Sequence, residues 1–336
     1  YEPLRRQIAI RMRDAGAVVE PSQIVITNGC VEALQLCLRA LTSPGDLIAS
    51  ESPSYYGLVQ LCQLLGLKVI EIPTDPETGL SLESLEKAAE KWPIKALVVT
   101  TRAGNPMGAT MSEARQRKLV GMMAQRNIPI VEDDIYGELM FEPGRSKALK
   151  AFDCSDTVLY CSSFSKTISP GLRTGWVIAG KHQDTIEKLQ TFTTLSACSV
   201  SQMAVAAYLE NGGYDRHLRY IRQEDRRNLS HFQLAVQQYF PEGTQITRPK
   251  GGFILWVSLP GNVDAQILFT QALEQGISIA PGAVFSNSDQ FNHCLRLNCG
   301  VPWNQETERA VMTLGVLAKG LLSKNRVVEE VGEEVA

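Results

Sequence analysis

A chain of 336 residues, 44% hydrophobic and 21% charged, is long enough for about two domains of roughly 150 residues each and has the apolar fraction of a packed globular protein. Its net charge of −3 offers no basic surface for a nucleic-acid backbone, and no apolar run approaches the roughly 20 residues of a membrane helix. The eight cysteines form no CxxC pair; several sit in apolar runs such as LQLCLRAL, where a thiol behaves as a small hydrophobe, and this points to a reducing, cytoplasmic setting. The four histidines are far apart in the sequence, so no zinc site is expected.

The chain opens on Tyr1, without methionine, and runs into an amphipathic helix, PLRRQIAIRMRDAG. This reads as a piece of a longer protein, with an N-terminal helical segment over 1–20 that is expected to pack with the second domain. From about Val25 to Ile178 short apolar, β-branched runs alternate with helical stretches. The runs are DLIAS (46–50), LKVIEI (67–72), ALVVTT (96–101), IPIVED (128–133), DTVLYCSS (156–163) and GWVIAG (175–180), and they read as buried strands. Helices are predicted over 29–42, 54–65, 82–91 and 112–126, then over 182–193 and 199–211. Such alternation predicts an α/β fold with a mainly parallel sheet, helices on both faces, over 21–212. After NGGYD the character changes. A long charged helix over 216–240, a strand pair in TQITRPKGGFILWVSLP, helices near 264–275 and 304–322 and a strand CLRLNC (294–299) predict a smaller α+β domain over 213–324. The last residues, 325–336, are expected to form an acidic tail that frays.

In open α/β sheets ligands bind beyond the carboxyl ends of the strands. Those ends collect chemistry here. In VITNGCVEALQL, Gly29 starts a helix whose first N–H groups, at Cys30 and Val31, are free for an anion. VVTTRAGNPMG ends a strand with Asn105 in a turn. IVEDDIY supplies Asp133 and Tyr136, and LYCSSFSKTISPGLRTGW supplies Ser163, Ser165, Lys166 and Arg173. Taken singly, each has a plain reading: a solvated lysine, a helix-capping aspartate, a turn. Taken together they match pyridoxal phosphate (PLP), which needs a lysine for its aldehyde, an acid for its ring nitrogen, donors for its ring oxygen and a phosphate cradle.

The order of ITNGC, SPSY, NPMG, DDIY, SFSKTISPGLRTGW, PKGGFILW and RLN resembles the fold-type I PLP proteins of the aminotransferase class I/II family, over nearly the whole chain. The resemblance implies an aspartate aminotransferase-like large domain with a smaller C-terminal domain. It implies that Lys166 forms a Schiff base with PLP and moves the substrate proton, and that Asp133 protonates the ring nitrogen. Tyr136 and Asn105 would serve the ring oxygen, and Tyr55, with Tyr56 beside it as the alternative, would stack on the ring. Arg173, Ser163, Ser165 and the amides at Gly29, Cys30 and Val31 would hold the phosphate. Arg296, and Asn105 beside it, would take the carboxylate of an α-amino acid or 2-oxo acid. Asp134 has no assigned role and is expected to matter much less than Asp133.

Three longer stretches, ESPSYYGLVQL, GATMSEARQRKLVGMMAQRNIPIVEDDIYGEL and LYCSSFSKTISPGLRTGWVIAGK, are similar to the effector domains of MocR-type regulators of the GntR family. That resemblance implies a homodimer whose DNA contacts lie in an N-terminal domain absent from this chain. Free-standing aminoadipate and aromatic aminotransferases are the alternative, and a β- or γ-elimination on the same scaffold a third. The sequence departs from the family before Asn105, where Arg102, Ala103 and Gly104 stand, and at Met107; these residues are expected around the ring.

Overall fold

The computed structural model describes residues 1–142, 144, 146–261 and 263–334, with side chains as far as 323. Helix α1 (Glu2–Asp14) leads into β1 (Ile24–Thr27), α2 (Cys30–Leu41), β2 (Leu47–Ser52), α3 (Tyr56–Leu64) and β3 (Lys68–Asp75). Then follow β4 (Gly79–Leu80), α4 (Leu82–Lys91), β5 (Ile94–Val99), α5 (Glu113–Gln125), β6 (Ile130–Asp133), β7 (Val158–Ser163) and β8 (Gly175–Ile178). These strands form one eight-stranded sheet in the order β1-β8-β7-β6-β5-β2-β3-β4. Its middle, β7-β6-β5-β2-β3, is parallel, while β8 pairs antiparallel with both β7 and β1. The parallel strands are apolar without alternation because helices cover both faces: β6 and β7 are buried throughout. The result is an α/β architecture, parallel at its centre with antiparallel edges.

Helices α6 (Gln183–Thr194) and α7 (Ser199–Glu210) follow, and α8 (Gly213–Tyr239) links two cores. Its first turns put Tyr214 and Leu218 into the large-domain core. Its second half, from Leu229, packs in a separate core with β9 (Gln245–Ile246), β10 (Ile254–Ser258), α9 (Ala265–Glu274), β11 (Ala280–Pro281), β12 (Cys294–Asn298) and α10 (Gln305–Glu334). The four short strands make an antiparallel sheet in the order β11-β12-β10-β9.

Helix α1 buries Leu4, Ile8 and Met12 with Val205, Ala206 and Leu209 of α7, with Tyr160, Phe164 and Trp176, and with Tyr214 and Leu218 at the start of α8. The apolar stripe of α1 fits that surface, and Arg11 fixes it by pairing with Glu138, itself buried beside Tyr214. The expected tail is helical backbone through Glu334, because α10 does not stop near 322; residues 335 and 336 lie outside the described residues.

Candidate active site

The strand ends of the large sheet meet the small domain at one cavity. Cys30, Val31, Tyr55, Asn105, Asp133, Tyr136, Ser165, Lys166, Arg173 and Arg296 line it, together with Leu34, Tyr56, Thr100, Ile135 and Pro170. Two candidates stand just behind the wall. Ser163 is buried, and its Oγ accepts from the Ser165 N–H at 3.3 Å, so it shapes the turn that carries Lys166. Gly29 is the N-cap of α2 at φ 96. A Cβ there would run into Nη2 of Arg173, so glycine is what lets the guanidinium close on the helix start. Arg173 donates to the Asn28 carbonyl at 2.8 Å and to Ser165 Oγ at 3.3 Å. Helix N-terminus, guanidinium and hydroxyl thus converge as an anion cradle.

Asp133 ends β6 at the cavity floor. The Cys30 thiol donates to its Oδ1 at 3.3 Å and the Ile135 N–H at 3.2 Å. Burial raises its carboxyl to about 6, against the pull of these two hydrogen bonds. Lys166 is shifted the other way: burial lowers its ammonium pKa, the positive charge of Arg296 adds to that, and Asp133 opposes it. Burial holds the Tyr136 phenol well above its ordinary value, and its ring meets Phe253 edge-on at 5.7 Å. Arg296, on β12, donates from Nη1 to Asn105 Oδ1 at 3.2 Å, and its guanidinium lies over the Phe285 ring at 5.4 Å. Its Nε is buried without a partner. A buried, unsatisfied guanidinium donor beside an open cavity suits a carboxylate that arrives with the ligand.

The departures before Asn105 do not line the cavity. Arg102 is fully buried and turns to Asp134, with Nε donating to Oδ1 at 2.8 Å and Nη2 to Oδ2. Ala103 and Gly104 do not line the cavity, and Met107 packs instead against Trp256, Phe285 and Phe291 of the small domain. Asp134 is no bystander either, since the Tyr160 hydroxyl also donates to it, at 2.6 Å. Sequence reasoning passed over Glu51, buried at the end of β2, which accepts from the Thr100 N–H at 2.8 Å and is raised to about 8 by burial. Glu51 stands near the end of β2, as Asp133 stands at the end of β6, so the same signal could have found it; Arg102, just past the end of β5, was expected around the ring and not against Asp134.

The fold and this donor set suit a PLP-type site: a lysine, an aspartate, a phenol and the elements of an anion cradle on one sheet edge. The profile of the aminotransferase class I and II family matches residues 1–314, and the chain belongs to that family. It is 43% identical over 312 residues to the uncharacterized HTH-type transcriptional regulator YjiR of Escherichia coli (strain K12), covering 93% of this chain and 66% of that protein. The chain thus spans about two thirds of that relative's length. It is 31% identical over 309 residues to aromatic-amino-acid aminotransferase 1 of Thermococcus litoralis, covering 89% and 73%. LysN, the alpha-aminoadipate aminotransferase of Thermus thermophilus solved with N-(5'-phosphopyridoxyl)-L-leucine, superposes with a TM-score of 0.90 at 29% identity, covering 96% of this chain and 82% of that one. Family and neighbours indicate PLP as the cofactor.

Proposed function

We propose that this chain is the PLP-binding, effector-sensing domain of a MocR-type transcriptional regulator, and that its effector is an α-amino acid or 2-oxo acid. The observation that carries the regulator reading is the 43% identity to an HTH-type regulator along 93% of the chain. DNA is then contacted by another part of the full-length protein, in the cytoplasm. Among the described residues no helix is long and apolar enough to cross a membrane.

When bound, PLP supplies an electron-withdrawing ring for the ligand's α-carbon. The chain supplies the rest. The lowered pKa of Lys166 leaves more neutral amine for attack on an aldehyde carbon and for proton transfer at the α-carbon. Asp133 would hold the proton on the ring nitrogen. Tyr136 and Asn105 would serve the ring oxygen, and Tyr55 would stack on the ring. Arg173 would balance the phosphate charge, with Ser165 and the N–H groups of Cys30 and Val31 as further donors. Arg296 would receive the carboxylate as a two-pronged donor.

The alternative is an aminotransferase of the aminoadipate or aromatic type. It is favoured by the complete set of proton-handling groups, Lys166, Asp133 and Tyr136, in one cavity. A single-turnover experiment on the full-length protein separates the two. Amino acids are added in turn, followed by a 2-oxo acid, while the cofactor's absorption is followed. The sensor is expected to change spectrum on ligand binding and stop there. Reversible amino transfer at a rate on the order of 1 s⁻¹ or faster, the range of working enzymes, overturns the sensor reading and establishes the enzyme.

We also propose a homodimer. On α6, α7 and the turn between them, Phe192, Leu195, Val200 and Met203 are 89%, 80%, 75% and 53% exposed, an apolar group that a second copy would cover. Phe192→Glu combined with Leu195→Glu is expected to weaken self-association by roughly 30-fold or more, the effect of losing about 2 kcal/mol at an anchor. Sedimentation equilibrium checks this, and a wild-type chain that stays monomeric at micromolar concentration counts against the dimer.

A further inference from the structure

Four carboxyl groups are buried at the ends of two parallel strands that flank β5: Glu51 on β2, and Glu132, Asp133 and Asp134 at the end of β6. Glu132 is satisfied by the N–H groups of Leu149 and Lys150 at 2.7 and 2.9 Å, and Glu51 by that of Thr100. Of the four, Asp134 is the one that a buried cation, Arg102, hydrogen-bonds; burial raises the Glu132 carboxyl to about 7, and the same guanidinium pulls it down. Arg102 is 0% exposed; it forks onto both oxygens of Asp134 and donates its remaining Nη1 to the Ser146 carbonyl.

A buried ion pair is weak evidence for stability, because a well-packed apolar pair of the same size is often as stable or more so. Its effect on neighbours is a different matter. Asp133 and Asp134 are adjacent in the chain, and only Asp133 lines the cavity. A bare carboxylate at Asp134 would disfavour ionisation of Asp133 by like-charge repulsion in a poorly solvated site. We propose that Arg102 is a positioning residue for the cofactor's ring-nitrogen partner: by cancelling the charge of Asp134 it keeps Asp133 ionised. This rests on the reading that Asp133 faces the PLP nitrogen.

The other groups that face Asp133 do not replace Arg102. Cys30 and Tyr55 are neutral, Tyr136 is neutral and buried, Glu51 is raised toward neutrality, and the Lys166 ammonium is itself disfavoured by burial and by Arg296. Burial has already lifted Asp133 to about 6, and Asp134 pushes in the same direction, so the margin for keeping it ionised at neutral pH is narrow.

The test is the pH dependence of PLP affinity, measured by equilibrium dialysis, together with the ¹⁵N shift of ring-labelled PLP. Affinity should fall on the acid side as Asp133 protonates. Arg102→Gln is expected to move this acid limb upward by about one pH unit, a tenfold change, and to shift the ring nitrogen toward its unprotonated position at neutral pH. Asp134→Asn should move the limb downward. The double variant Arg102→Gln/Asp134→Asn, an amide in place of each charge, should return it to within a few tenths of a unit of the wild type. A purely structural role would weaken binding in all three without moving the limb in opposite directions, and that outcome overturns the inference. If Arg102→Gln fails to fold, an unmoved limb in Asp134→Asn or a displaced one in the double variant overturns it equally. Borohydride trapping on wild-type protein separates this from the underlying reading. No adduct on Lys166 overturns both; an adduct with unmoved limbs in the variants overturns the role of Arg102 alone.

Discussion

Replacing Lys166 with alanine is expected to abolish covalent attachment of PLP. Borohydride reduction of the wild type should place one adduct on the peptide that contains Lys166, and reduction of Lys166→Ala should place none. Some PLP should remain bound without a covalent bond, since Arg173, Ser165 and the start of α2 still form the phosphate cradle. Exchange of the ligand's α-hydrogen with solvent should fall by on the order of 10²–10⁴, the usual contribution of a positioned proton carrier. The expectation holds for sensor and enzyme alike, because both need the amine. An adduct mapped to another lysine would remove the central assignment.

Asp133→Asn is expected to have the second-largest effect. A carboxylate against a pyridinium is a charge-assisted pair worth about 1.5–3 kcal/mol. Its loss should weaken PLP binding by roughly 10- to 150-fold and slow α-hydrogen exchange by at least on the order of 100-fold. The pH dependence has a definite sign. In the unliganded protein Asp133 lies at about 6, raised by burial. A pyridinium beside it lowers that value, so binding releases a proton in the interval between the two. PLP affinity is therefore full above about 6 and falls as the pH drops through it. In Asp133→Asn this acid limb should disappear. Unchanged α-hydrogen exchange in the variant would end the assignment. Asp134→Asn is not an inert control for this experiment, because Asp134 holds the Arg102 fork and the Tyr160 hydroxyl. Glu113, exposed and paired with Lys147 at the surface, serves that purpose better.

Much of the large domain was legible in the sequence. The runs at 96–101, 128–133 and 156–163 have apolar middles without alternation, because a parallel strand covered on both faces has no solvent side to mark with polar residues, and their polar residues gather at the ends. The order of motifs from ITNGC to RLN carried the family, and the spacing from Ser163 to Arg173 set Lys166 apart from an ordinary surface lysine. These signals are local: each is written within one element or the turn that follows it. The four-residue β1 was not among the expected strands, because so short a run ahead of a helix has no period to read; only antiparallel pairing with β8 makes it a strand.

The tertiary structure decided what local pattern cannot hold. An amphipathic stripe says that α1 must be covered, not by what; α7 and the start of α8 cover it. Arg296 and Asn105, 191 residues apart, meet only because the small sheet is laid over the end of β5. Arg102 and Asp134, 32 residues apart, pair because the chain turns both away from the cavity. Each sequence position fixes a side chain's chemistry, whereas its direction is set by backbone torsion and packing contributed by distant segments. The sequence by itself therefore determined which groups this protein brings to its sheet edge, and folding determined which of them face the ligand and which face one another.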